Sequence, residues 1–286
     1  MILNKLKIRS MSPIDLTFAA ECTDGEGWVS ENRTALEGFF FHDPGGCLIA
    51  ELDDRRVGIG VATAYGHCGF IGELIVRPEA RGLGIGAALL NHAVAYLHNL
   101  GARTVYLDGV VKAVRLYERN GFRKVSRSLR FSGKLEGKIH PKVRPMLEQD
   151  LPAVLELDHR YFGARRGFFL ARRWNLFPEL SLVLVEKGRL TGYILGRRGE
   201  GWMSAGPWVV EEGVQHPEWL LETLAATNNK QAFSIGTLES NQRAVEIIRS
   251  YGFVERSDSP WRMALGPDED LGASPQCYAV GSAAKG

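Results

Sequence analysis

The apolar positions of the first 140 residues change period several times, and each change marks an element. Asp15 opens a run with helical spacing, "CLIAEL" (Cys47–Leu52) and "VGIGVATAYG" (Val57–Gly66) read as a strand pair, and "GFIGELIV" (Gly69–Val76) reads as a longer strand. From about Ile85 to Leu100 the spacing returns to three and four, with Ala88, Leu89, Ala93, Tyr96, Leu97 and Leu100 on one stripe and Gly101 as the C-terminal stop. A strand "TVYLD", a helix ending at Gly121 and a strand near "FRKVSRSLRF" follow. The Gly-, Lys- and Pro-rich "SGKLEGKIHPKVRP" then reads as a linker.

The pattern recurs. "IRSMSPIDL" (Ile8–Leu16) is echoed by "VRPMLEQDL" (Val143–Leu151), "RRVGIGVA" by "GRLTGYIL", and "AVRLYERNGF" (Ala113–Phe122) by "AVEIIRSYGF" (Ala244–Phe253). Two copies of one fold with small loop differences account for all three echoes. A length of 286 residues is comfortable for two domains.

Residues 1–140 carry 18 Lys and Arg against 15 Asp and Glu, and residues 141–286 carry 17 against 18. Neither half has the basic excess of a nucleic-acid binder. The stretch "RYFGARRGFFLARRW" interleaves arginine with aromatics as a single-strand binder does, but in a charge-balanced half it reads as a solvated helix face or an interdomain contact. The four cysteines make no C-x-x-C pair, and "GHCG" with Cys47 lacks a second His/Cys cluster at zinc spacing, so no metal is expected. No signal-peptide pattern or run of ~18 apolar residues is present, which points to the cytoplasm and to no membrane partner.

The remaining chemistry gathers in "RPEARGLGIGAALL" (Arg77–Leu90). Gly82, Gly84 and Ala87 fit the dinucleotide pattern G-x-G-x-x-G/A, with Asp108 standing in for the ribose-binding acid. Arg81, Gly84 and Gly86 fit R-x-x-G-x-G instead. In that reading the glycines bare the main chain for a pyrophosphate at a helix N-terminus, and Arg81 adds a fixed positive charge. The hairpin-like region before the loop, and the short chain left after it, disfavour the doubly wound dinucleotide fold.

"ELIVRPEARGLGIGAALL" with "LYERNGF" resembles the GNAT superfamily of acetyltransferases, and the second half is similar to the degenerate C-terminal half of tandem GNAT proteins. The resemblance implies an α/β protein of two tandem GNAT folds, each a mixed, mostly antiparallel sheet flanked by helices. Residues 1–133 would be the catalytic domain, 134–141 a linker and 142–286 a silent copy. It further implies an N-acetyltransferase that uses acetyl-CoA and no metal, with a small-molecule or peptide amine as acceptor and a homodimer as one possible assembly. Backbone at Ile75 and Val76 would hold the acetyl carbonyl, and Arg81, Gly82, Leu83, Gly84, Ile85, Gly86 and Ala87 the pyrophosphate. Tyr117 stands where the family places a hydrogen-bond donor to the departing sulfur, with packing against the sheet as its other reading; the asparagine often found seven residues earlier is Val110 here. Glu73 is the candidate general base, with His42, Glu26, Asp108 or a water chain as competitors. Trp28, His42 and Asp108 are candidates for the acceptor side, although an aromatic such as Trp28 is more often core than pocket wall. An acyl-CoA-binding sensor without turnover, and the nicotinamide-linked oxidoreductase, are the alternatives from other classes. The second half has no glycine loop, carries Pro207, Glu211 and Glu212 in the aligned stretch, and has Ile248 in place of Tyr117.

Overall fold

A computed structural model describes residues 5–28, 30–199, 201–227, 232–267 and 270–286. The chain forms two units. The first gathers the described residues through Arg123 with residues 263–267 and Lys285; the second gathers those of 124–262 and 270–284 with Gly286.

In the first unit, β1 (Leu6–Ser10), β2 (Cys47–Leu52), β3 (Arg55–Ala64) and β4 (Cys68–Val76) pair antiparallel in that order, and β5 (Thr104–Gly109) runs parallel beside β4. Residues 263–265 continue the sheet past β5. Four helices accompany it: α1 (Asp15–Gly25), α2 (Arg33–His42), α3 (Ile85–Asn99) and α4 (Val114–Arg119). Three antiparallel pairings precede the glycine loop, so the doubly wound dinucleotide fold is not the one formed.

The period-3.6 stripe of α3 buries Ile85, Leu89, Leu90, Ala93 and Leu97. Leu100, expected on that stripe, is exposed because it lies past the last helical turn as the C-cap. A Cβ at Gly69 would fall 2.7 Å from Leu97, and one at Gly60 would fall 3.9 Å from Leu89, so α3 lies against the sheet where glycines leave room.

The second unit repeats the plan. Here β6 (Arg123–Gly133), β7 (Val143–Pro145), β8 (Ser181–Glu186), β9 (Arg189–Gly199), β10 (Trp202–Val210) and β11 (Ala232–Leu238) lie in the order β6-β11-β10-β9-β8-β7. β12 (Val254–Glu255) pairs with β6, β13 (Trp261–Leu265) follows it in the chain, and β14 (Cys277–Ala279) pairs with β10. The helices are α5 (Leu151–Phe162), α6 (Gly167–Leu176), α7 (Glu218–Ala226) and α8 (Gln242–Ser250). Trp208, Phe233, Phe131 and Ile248 stand in its core.

The first echo in sequence has a structural cause. Arg9 donates to Asp15 at 2.7 Å, and Arg144 donates to Asp150 at 2.6 Å. The backbone N–H of Ser12 reaches Asp15 and that of Leu147 reaches Asp150, both at 2.8 Å. In each copy the aspartate fixes the turn into the first helix, and the strand arginine neutralises it.

Two boundaries depart from the repeat pattern. β6 hydrogen-bonds β11 from Ser128↔Leu238 to Gly133↔Phe233, so from Lys124 onward it belongs to the second unit rather than to a domain ending at 133. The expected linker also packs against α7. Lys138 N–H donates to the Glu222 carbonyl at 3.1 Å, and His140 N–H donates to Thr223 Oγ1 at 3.3 Å.

Candidate active site

The parallel pairing of β4 with β5 runs only from Cys68↔Thr104 to Ile71↔Leu107. Beyond it the two strands splay. Next in β4 comes a bulge: the register with β3 shifts between Val61↔Gly72 and Ile59↔Ile75, and Glu73 adopts φ +51°. A bulge inverts which side chains face which way. Gly69, before it, faces Leu97 of α3, whereas Leu74 and Val76, after it, lie 3.3 and 3.7 Å from Cβ positions built at Gly60 and Gly86 on that same side. Ile75 and Arg77 therefore face away from α3. Arg77 accordingly lies over the Phe18 ring of α1, 5.8 Å from its centroid, which puts α1 on the opposite face.

The ladder also fixes where the backbone groups point. Arg77 N–H donates to the Val57 carbonyl at 2.8 Å, and Gly58↔Val76 is the next facing pair. In an antiparallel ladder hydrogen-bonded and non-bonded pairs alternate, so Val76 turns its N–H away from β3, into the splay.

The glycine loop closes the site. Gly82 and Gly84 take φ +82° and +80°, and a Cβ on either would meet no heavy atom within 4 Å. Gly84 is the N-cap of α3, and the helix's first internal bond runs from Ala88 N–H to the Gly84 carbonyl. Among the described residues, the N–H groups of Gly82, Leu83, Gly84, Ile85, Gly86 and Ala87 have no acceptor. Six amides at the positive end of a 15-residue helix are suited to a phosphate. A Cβ at Gly86 would make ordinary contact with Leu116, at 3.4 Å, and with Val76, at 3.7 Å, so the absence of a side chain there is not forced by packing.

Arg81 departs from the expected picture of a charge left for phosphate. Its Nε donates to the Val76 carbonyl at 2.9 Å, and its guanidinium pairs with Glu26. Lys112 Nζ reaches the other oxygen of Glu26 at 2.6 Å. Partial burial pushes the Glu26 carboxyl up, but the hydrogen bonds and charges of Lys112 and Arg81 outweigh it and hold it below the ordinary range. An ionised carboxylate held by two cations is a poor proton acceptor. Neither Lys112 nor this pairing was legible in the sequence, since the partners are 55 and 86 residues apart.

Tyr117 is buried in α4, edge-on to Phe122 with ring centroids 6.2 Å apart, and its ring covers Gly109 at the end of β5. Desolvation pushes its phenol up to about 12, and among the described residues its hydroxyl has no hydrogen-bond partner. Glu73 is 3% exposed. Asp108 is half-buried in β5, Trp28 is half-buried in the turn after α1, and His42 ends α2 exposed to solvent.

The second unit repeats this geometry at a constant offset in β10. The pairing with β11 ends at Ala205↔Ile235, and the register with β9 shifts between Ala205 and Trp208, which puts Pro207 at the position of Glu73. There the splay is filled. β14 pairs antiparallel with β10 at Trp208↔Ala279, Val210 N–H donates to the Gln276 carbonyl at 3.0 Å, and Val280 N–H donates to the Gly236 carbonyl at 2.8 Å. Val210 is the counterpart of Val76, so in the second unit the Gln276 carbonyl occupies the position that the Val76 N–H faces in the first. Tyr278 seals the strand against Trp208, with ring centroids 4.9 Å apart. The short apolar run Cys277–Val280 was the available signal for this strand.

The sequence matches the Acetyltransferase (GNAT) family over residues 14–122 and an Acetyltransferase (GNAT) domain over residues 154–279. The chain belongs to the GNAT acetyltransferase family and carries two GNAT domains in tandem. A mycothiol acetyltransferase of Stackebrandtia nassauensis is 34% identical over 125 residues, a match covering 41% of this chain and 41% of that protein. Among solved structures, a putative acetyltransferase from Pyrococcus horikoshii superposes with a TM-score of 0.84 at 23% identity, covering 98% of this chain and 96% of that one. A tandem GNAT protein from the clavulanic acid biosynthesis pathway superposes at 0.61 with 14% identity, over 93% and 100% of the two chains. Among the described residues no helix is long and apolar enough to cross a membrane.

Proposed function

We propose that the first unit transfers an acetyl group from acetyl-CoA to a primary amine by direct attack. The observation that carries this is the splay of β4 from β5 beside the six unpaired amides of the glycine loop. An acyl-CoA offers a diphosphate for the loop, carbonyls for the inward-facing Val76 N–H and a thioester for the space beyond Ile71↔Leu107. The second unit supports the assignment of Val76, because its counterpart Val210 already holds a carbonyl.

Acetyl-CoA supplies the activated carbonyl. The protein must supply a neutral amine, a donor for the developing oxyanion and relief of charge at sulfur. Deprotonating an alkyl ammonium of pKa ~10.4 near neutrality costs about 4–5 kcal/mol. Glu73, buried on the bulge beside Ile75, takes that proton directly or through water. Val76 N–H faces the oxyanion. Tyr117 donates a hydrogen bond to sulfur without giving up its proton: a phenol at about 12 against a thiol near 8.5 makes full transfer uphill by about 5 kcal/mol. Trp28, His42 and Asp108 line the acceptor side.

Thiol release from acetyl-CoA, measured against a panel of amines with product masses, tests the reading. A polyamine, an amino sugar, an amino acid and a peptide amine form the panel, and mycothiol-related acceptors join it because of the relatives' name. Acetyl-CoA binding without turnover on every acceptor would leave the sensor reading in its place.

A further inference from the structure

Glu26 lies at the end of α1, where its two oxygens meet two cations that follow the two splayed strands. Arg81 follows β4 and Lys112 follows β5, and past Ile71↔Leu107 no ladder joins those strands. The carboxylate thus spans the mouth of the splay, with Arg81 adjoining the row of unpaired amides that begins at Gly82. A negative group that bridges two cations beside such a row occupies the electrostatic place of a phosphate. The residues after Glu26 are tied to it through the backbone: Glu26 N–H and Trp28 N–H both donate to the Thr23 carbonyl, at 3.2 and 3.0 Å, and Glu31 N–H donates to the Trp28 carbonyl at 2.8 Å.

Resting on the acyl-CoA reading above, we propose that Glu26 is an internal counter-anion of the phosphate site. It holds Arg81 and Lys112 across the cleft mouth until the phosphates of acyl-CoA take its place. Its release shifts the turn that carries Trp28, so that cosubstrate binding sets the wall on the acceptor side. Glu26 is then a positioning residue rather than the general base, and acceptor binding follows acyl-CoA binding.

Calorimetric titration of the full chain with acetyl-CoA, at low and high ionic strength, tests this. Glu26→Gln keeps the shape and removes the charge, so it should tighten acetyl-CoA about fivefold at low salt, with the gain shrinking as salt rises. Lys112→Met should weaken binding about threefold. In the wild type, acetyl-CoA should alter the part of the tryptophan emission that Trp28→Phe removes; in Glu26→Gln that change should be absent, because the turn is already released. Wild-type protein that binds acetyl-CoA, with Glu26→Gln binding no tighter or Lys112→Met unchanged, overturns the counter-anion while leaving the acyl-CoA reading standing. Wild-type protein that does not bind acetyl-CoA overturns both.

Discussion

Gly84→Asp separates the phosphate role of the glycine loop from its folding role. Gly84 has φ +80° and ψ −1°, and open space where a Cβ would go, so no clash accompanies the substitution. A non-glycine residue in the left-handed region costs about 1 kcal/mol, and a carboxylate at a helix N-terminus returns about 0.3–1 kcal/mol. The free protein should therefore melt within about 3 °C of wild type. Ligand binding should change far more. At a hundredfold excess over Kd, acetyl-CoA stabilises the wild type by about 2.7 kcal/mol, roughly 5–10 °C in Tm for a unit of this size. The new carboxylate repels a phosphate by about 1–4 kcal/mol at contact and covers amides the phosphate needs. A hundredfold rise in Kd leaves only about 0.4 kcal/mol at the same ligand concentration. Gly84→Ala carries the same backbone strain without the charge and should keep most of the shift. Thermal melts with acetyl-CoA, and with NAD as control, give the readout. A full acetyl-CoA shift in Gly84→Asp, or an equal shift with NAD in wild type, would refute the reasoning.

Tyr117→Phe should lower turnover at least tenfold while leaving acetyl-CoA affinity within about twofold, since the hydroxyl acts when charge builds on sulfur. Because desolvation raises this phenol to about 12, it stays protonated below that pH, and the wild-type rate profile should show no basic limb from it up to about pH 11; normal turnover in the variant removes the role. Glu73→Gln should abolish the acidic limb of the profile, and an unchanged limb would move the base to His42, Asp108 or water. Calorimetry should count one acetyl-CoA per chain, because β14 fills the second splay; two equivalent sites would contradict that geometry.

What could be read from sequence was local. The α3 stripe, the glycine loop and the two Arg–Asp turns each sit within a dozen or so residues, where spacing alone dictates the arrangement. The bulge at Glu73 was hidden because "GFIGELIV" is a near-continuous apolar run with no alternation to interrupt, and a single left-handed residue leaves no mark on hydropathy. Uninterrupted alternation from Gly69 would have turned Ile75 toward α3, and the parity shift at the bulge turns it away. Pairings across long separations were out of reach. β6 with β11 and Glu26 with Lys112 depend on where the sheet brings distant segments, and no periodicity encodes that.

The two copies show how one backbone defect takes opposite uses. A parallel pair that ends after four residues leaves strand-edge donors and acceptors without a ladder partner, and buried groups of that kind each cost about 1–3 kcal/mol if nothing meets them. The second unit meets them with its own chain: Gln276 and Val280 complete the bonds of Val210 and Gly236, and Tyr278 packs on Trp208. That repair removes the reason to keep glycines at the head of α7, where Pro217 now forms the N-cap and Glu211 is tied up by Arg189 at 2.6 Å. The first unit keeps the defect. Its Val76 N–H and glycine-loop amides have no acceptor among the described residues, so a ligand with one diphosphate and a row of carbonyls gains what β14 contributes internally in the other copy. Restoring a glycine loop to the second unit should therefore not create a binding site while β14 is in place, because the loop's amides would serve only the phosphates and the arm of the ligand would have to displace a paired strand.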